Sequence, residues 1–270
     1  MDYGRLVAAM GIVWFHSQAP GARLAYAALP FFLVLLATPS RAGLRVRAQR
    51  LLLPFLRWSA IYAALGTALS LRHHQPPLGW WDWPMLLTGT SLHLWFLPFA
   101  FLVAMLTPML TRRKVAPIAA LWGAAAFCLF GTPEGIPLAQ WSFGLIPVLV
   151  GIAYFTNGWR IAAATLILCW LMLTLGRPSA DNVTILAGTG IALVVLAVRV
   201  APTRLSSWCA GLSMWVYLAH PLILVAGRTA GLSGFALGIF AILGSLLLAQ
   251  GIEAAMPRRP RARYIDKAAS

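Results

Sequence analysis

Long apolar runs, broken at short intervals by arginine, proline and glycine, dominate the chain. Ten stand out, at 6–21, 24–38, 51–70, 87–110, 115–131, 141–157, 161–175, 183–200, 210–227 and 235–253. A helix needs about 20 apolar residues to cross the hydrocarbon core of a bilayer. Several of these runs are shorter, which predicts thin or buried helices. The pattern therefore predicts an all-α, polytopic membrane protein of about ten transmembrane helices. Residues 1–256 read as a single integral-membrane domain, and 257–270, basic and interrupted by proline, as a disordered cytoplasmic tail. No internal repeat or low-complexity segment is visible.

Composition agrees. Of 270 residues 60% are hydrophobic and 10% charged, whereas soluble domains carry about 25% charged residues. Ten spans leave no room for a sizeable soluble catalytic domain, so any chemistry belongs inside the bilayer or at its faces. The net charge of +15, from 21 Lys and Arg against 6 Asp and Glu, reads first as topology. With the N-terminus inside, 16 cations fall on cytoplasmic segments: Arg5, Arg41, Arg45, Arg47, Arg50, Arg112, Arg113, Lys114, Arg160, Arg199, Arg204, Arg258, Arg259, Arg261, Arg263 and Lys267. Four fall outside, Arg23, Arg72, Arg177 and Arg228. That split predicts both termini in the cytoplasm by the positive-inside rule. It also accounts for the basicity without nucleic acid. Ala25-Tyr26-Ala27 resembles a signal-peptide cleavage site, but Asp2, a single Arg5 and resumed apolar sequence argue against one. Cys128, Cys169 and Cys209 lie in different spans without metal or redox spacing and read as small hydrophobes.

Ionisable residues within spans are costly and mark function by default. Arg5 and His16 share the first span, roughly 16 Å apart along a helix and nearly on one side. Ser213, Tyr217 and His220 share one face of the ninth span, with Pro221 freeing a backbone carbonyl beside them. His93 opens the fourth span, and Arg57 lies inside the third, where it must pair, snorkel or line a wet cavity; a cavity is expected. Prolines and glycines within spans, such as Pro30, Pro98, Pro147 and Gly151, suit bent helices around it. Each histidine alone could simply be an interhelical hydrogen-bonding group, and Arg5 alone an orientation signal. Together they read differently. Arginine grips phosphate through a planar fork, and imidazole takes a proton from a hydroxyl. A helix carrying one at the cytoplasmic face and the other within the membrane points to a cytosolic phosphorylated donor whose reactive end reaches inward.

These residues fall into segments that resemble the integral-membrane acyltransferase-3 family, whose members O-acylate glycans, lipids and related extracytoplasmic acceptors. The segments are Arg5 and His16 at the family's spacing, Pro30-Phe31-Phe32, Arg47-Ala48-Gln49-Arg50-Leu51-Leu52-Leu53-Pro54, HLWFL at 93–97 and SMWVYLAHP at 213–221. The resemblance implies acetyl-CoA or another acyl-CoA as donor, with Arg47 and Arg50 near its phosphates, Arg5 supporting them and Arg57 added from its place in the third span. It implies His16 as general base or acyl relay, with His93 and His220 positioning the acceptor or completing the catalytic site; acyl transfer from a thioester itself needs no metal but does need donors for the oxyanion, for which His93 or Tyr217 is the candidate. It further implies a bacterial cytoplasmic membrane and an extracytoplasmic glycan or glycolipid as acceptor. Two departures are visible. Leu35 stands where the family pattern FFxxG has glycine, which bears on packing of the second helix. No hydrolase-like extracytoplasmic domain is appended, so the membrane unit or a separate protein is expected to complete the transfer.

Trp80, Trp81 and Trp83 crowd the outer loop between spans three and four, with Asp82 among them. They read as an interfacial aromatic belt or as a stacking platform for a sugar acceptor. Trp81, Trp83, Trp95 and Ser213 are the candidate acceptor-binding residues. His73-His74 lacks the further ligands a metal site needs. Glu134 is a turn residue or an acceptor contact, and Arg112-Arg113-Lys114 an orientation signal or a CoA contact. Two rival classes remain: a transporter or flippase, against which the scarcity of intramembrane acids argues, and a haem protein using two of His16, His93 and His220.

Overall fold

The computed structural model describes residues 1–40, 42–198, 201 and 203–255. Arg41, Arg199 and the expected tail at 257–270 lie outside the described residues. Helices occupy all ten apolar runs. The first holds α1 (Asp2–Ser17), the second a short α2 (Ala22–Ala25) and α3 (Ala28–Leu36), and the third the long α4 (Leu44–Arg72). The fourth breaks into a single turn, α5 (Met85–Thr88), a 3-10 turn over Leu92–Trp95, and α6 (Phe96–Arg113). Then follow α7 (Ala116–Phe130), α8 (Leu138–Asn157), α9 (Trp159–Gly176), α10 (Ala180–Ala197), α11 (Arg204–Thr229) and α12 (Gly234–Ala255).

Seven of these stretches are long and apolar enough to cross a membrane: α4, the 3-10 turn with α6, and α8 to α12. The stretch Ala22–Leu36 and α7 are apolar but shorter, and α1 has 16 residues. The chain is an all-α, polytopic membrane protein. Its outward side chains include Leu24, Phe130 and Leu175, each more than 80% exposed, a costly surface in water and an ordinary one in lipid. Helix ends extend past the apolar runs where the sequence is polar but helix-forming. Leu-Arg-Val-Arg-Ala-Gln-Arg starts α4 at Leu44, because arginine, alanine and glutamine favour helix. Thr203 and Ser206 form a capping box that starts α11 at Arg204.

The helices pack as three groups. In one, α1, α11 and α12 contact each other; in another, α7 to α10 pack together with α3; in the third, α4 lies on α6 and the 3-10 turn. Between them stands α3, touching α1, α6, α8 and α10. Its neighbours approach at glycines. A Cβ on Gly188 of α10 would sit 2.1 Å from the Ala27 carbonyl, and one on Gly151 of α8 would sit 2.6 Å from the Val34 carbonyl. The close approach that a glycine at position 35 would allow is thus supplied from the partner helices. Leu35 itself is buried.

Candidate active site

The three intramembrane histidines come together. His16 closes the last turn of α1, which Gln18 ends in the left-handed conformation (φ 57°). Its ring stacks on that of His220 from α11, with centroids 5.2 Å apart and planes 29° apart. His93, from the 3-10 turn, meets His220 edge to face at 5.2 Å. Tyr62 of α4 and Tyr217 of α11 close around His93 at 5.2 and 5.7 Å. Two helix groups therefore meet in this cluster, α1 with α11 and α4 with the 3-10 turn. Cross-links hold them in place. The Tyr62 hydroxyl donates to the Leu218 carbonyl at 2.7 Å, the Tyr217 hydroxyl to the His93 carbonyl, and Arg228 to the His16 carbonyl at 2.9 Å.

Proline chemistry sets the state of His220. Pro221 has no amide hydrogen for the carbonyl four residues back, which is that of Tyr217. His220 Nδ1 lies 2.6 Å from this same oxygen. A carbonyl only accepts, so Nδ1 carries a proton, and in the neutral ring Nε2 keeps its lone pair. That Nε2 is buried without a hydrogen-bond partner, as is Nε2 of His93, whose Nδ1 lies 2.9 Å from the Ser91 hydroxyl. A cavity of about 190 Å³ opens here, lined by His16, His93, Tyr26, Tyr217, Trp95 and Gln140 among others. Gln140 Oε1 is also buried without a partner. Orphaned polar atoms around a cavity are costly unless a ligand or water completes them. The cavity thus combines the rings of His16 and His93, the latter with an unpaired nitrogen, an amide and aromatic walls, and His220 stands behind His16. Among the described residues, none that lines it is a carboxylate, and no group of three His, Cys, Asp or Glu is placed to share a metal ion.

The arginines lie elsewhere. Arg5 is half-buried near the start of α1, 3.6 Å from the Asp2 carboxylate. Arg47 uses all three sides of its guanidinium on backbone, donating to the carbonyls of Ala42 at 2.8 Å, Ser40 at 2.7 Å and Ala104. It thereby ties the α3–α4 connection to α6. Arg50 is exposed. Arg57 does not line the expected cavity: it is exposed on the outward face of α4, beside Leu53, Leu56 and Ile61. The reason is rotation. The buried face of α4 carries Phe55, Trp58 and Tyr62, and Arg57 points away from that stripe.

Trp95 lines the histidine cavity, while Ser213 is buried and bonds the Ala210 carbonyl at 3.1 Å. Trp83 lines a second cavity with Asp82, and Trp81 stands exposed outside it. Trp80 packs against Gly66 and donates to the Pro77 carbonyl at 2.9 Å. His73, His74, Glu134, Arg112, Arg113 and Lys114 are exposed. Sequence reasoning did not single out Gln140, Tyr62 or Tyr26 as site residues. A polar residue at the start of an apolar helix was the available hint for Gln140.

No curated protein and no solved structure matches the sequence. The acyltransferase-3 family pattern, described as an acyltransferase domain, matches residues 1–253. That span includes His16, His93, His220 and every helix of all three packing groups except the last two residues of α12. The chain belongs to the acyltransferase-3 family.

Proposed function

We propose that the protein is a membrane O-acyltransferase that moves an acyl group, acetyl first among candidates, from cytosolic acyl-CoA to a hydroxyl of an extracytoplasmic glycan, glycolipid or similar acceptor. The carrying observation is the cavity on which three helix groups converge with His16 and His93, with His220 stacked behind and two imidazole nitrogens unpartnered. Family membership supplies the reaction class. The charge split supports ten spans with both termini cytoplasmic, and the membrane in this reading is the inner membrane of a bacterial cell.

In this reading His16 takes the proton of the acceptor hydroxyl as its oxygen attacks the thioester carbonyl. The carbon–sulfur bond breaks, and His16 returns the proton to the leaving thiolate, which departs as the free thiol of CoA. His220 holds the His16 ring by stacking, His93 and Gln140 orient the reacting groups or bond the developing oxyanion, and Tyr217 positions His93 through its carbonyl. Acyl transfer of this kind needs alignment and a base, roles that need no metal. Arg5 and Arg50 hold the phosphates of the donor at the cytoplasmic side. Arg47 joins them by trading its carbonyl bonds for phosphate oxygens, and Arg57 approaches from the lipid-facing side of α4. Trp81, Trp83, Trp95 and Ser213 serve the acceptor.

Purified protein in liposomes, given labelled acetyl-CoA and an extract of envelope glycans and lipids, tests the reaction class. Loss of acetyl-CoA matched by labelled acceptor is the expected result. Movement of a substrate across the bilayer with no chemical change would instead favour a transporter.

A further inference from the structure

Two cavities meet at a single side chain. The outer one, about 460 Å³, is walled by Asp82, Trp83, Thr88, Thr90 and Leu92 among others. The inner one holds His16 and His93, and Leu92 is the residue common to both. Leu92 opens the 3-10 turn and is 50% exposed, whereas His93, Leu94 and Trp95 behind it are buried. Its backbone is pinned on both sides. Gly89 turns the chain with φ 73°, where a Cβ would meet Leu94 and Ser59 at 2.8 Å. Thr90 Oγ1 donates to the Ser59 carbonyl at 2.5 Å, and Tyr217 donates to the carbonyl of His93. The backbone is fixed and the side chain is free.

The outer cavity has its own recognition chemistry. Trp83 is 62% exposed and offers an aromatic face. Asp82 spends one carboxylate oxygen on the Trp83 amide at 2.7 Å; among the described residues no protein group bonds the other. The Thr88 and Thr90 hydroxyls donate to backbone carbonyls, leaving their oxygens to accept. An aromatic face beside hydrogen-bond acceptors suits a hydroxylated group with one apolar side.

We infer that the outer cavity is the vestibule through which the acceptor arrives, and that Leu92 is the threshold that sets how bulky a hydroxyl-bearing group reaches His16 and His93. The inference rests on the acyl-transfer reading for what passes, and on the two cavities alone for where it passes. A leucine at the threshold also shields the thioester from water, because an apolar wall excludes solvent from the reacting carbonyl.

The test separates route from reaction. In a His16→Cys protein, position 92 is varied through Leu92→Ala, leucine and Leu92→Trp. The water-soluble thiol reagent 2-sulfonatoethyl methanethiosulfonate is applied to the purified protein, and its labelling of position 16 is followed by peptide mass spectrometry. Leu86→Cys, at a position 69% exposed, reports that the fold is unchanged. The rate at position 16 is expected to rise several-fold with alanine and fall several-fold with tryptophan, while position 86 labels at one rate throughout. A rate at position 16 that ignores residue 92, or no labelling there at all, overturns the inference. In the His16-containing chain, Leu92→Ala should raise hydrolysis of acetyl-CoA by water relative to transfer. If the labelling order holds and no form consumes acetyl-CoA, the route stands and the acyl-transfer reading falls. Acetyl-CoA turnover without the labelling order overturns the route and leaves the acyl-transfer reading standing.

Discussion

Alanine at position 221 would put back the amide hydrogen that proline removes, aimed at the Tyr217 carbonyl that His220 Nδ1 now occupies. The new donor competes with the imidazole and loosens the ring behind His16. Since a net hydrogen bond is worth about 1 kcal/mol, Pro221→Ala is expected to lower kcat roughly five- to tenfold while the melting temperature holds or rises. An activity loss that merely tracks a loss of stability would contradict this. Gln140 makes a second prediction at this scale. It lines the cavity and its Oε1 is unpartnered, so Gln140→Leu should cost kcat roughly tenfold or more, as removal of an oriented polar group does, and leave folding intact by size-exclusion profile. The histidines were legible in the sequence because an ionisable group in an apolar run stands out against its surroundings. Gln140, Tyr62 and Tyr26 were not, because their role comes from contacts such as Tyr62 with Leu218 that join residues far apart in the chain. Arg57 misled for a related reason: α4 is apolar on more than one side, so its sequence does not say which face packs.

Among the elements, α3 is held by neighbours on several sides, α1, α6, α8 and α10. It is wedged where Gly188 and Gly151 allow backbone to approach backbone, and a Cβ at position 188 would lie 2.1 Å from the Ala27 oxygen. Gly188→Ala should therefore destabilise the detergent-solubilised protein by about 1–3 kcal/mol, the usual cost of overpacking, seen as a lower melting temperature. Gly190, with nothing within 4 Å of an added Cβ, is the internal control: Gly190→Ala should be neutral or slightly stabilising. Equal effects at the two positions would refute the packing argument. The ten helical runs were readable from hydropathy, and the break between α5 and α6 was not. It depends on Gly89 fitting between Leu94 and Ser59, a tertiary contact that a hydropathy pattern does not carry. The same holds for the start of α4, whose first turns are basic rather than apolar.

For the whole molecule, the arrangement separates two kinds of chemistry along α1. Arg5 and His16 lie at opposite ends of that helix, roughly 16 Å apart at 1.5 Å per residue. In the proposed reaction, a donor gripped at one end and an acceptor admitted at the other would meet at the imidazoles. The sidedness that the charge split predicts has its own test. A single cysteine at Gln75, in the connection after α4, should react with an impermeant thiol reagent from outside intact cells, and one at Lys114 only after the membrane is opened. Reaction of both from one side would remove the ten-span topology and with it the direction of transfer. The most direct trial of the central claim is single-turnover acyl transfer by His16→Ala in native membrane vesicles, with labelled acetyl-CoA confined to the cytoplasmic side and insertion confirmed by the cysteine pattern. Loss of the proposed base should slow transfer at least about a hundredfold, so label should stay on CoA. Label reaching an acceptor on the far side at the unmodified protein's rate would contradict the account.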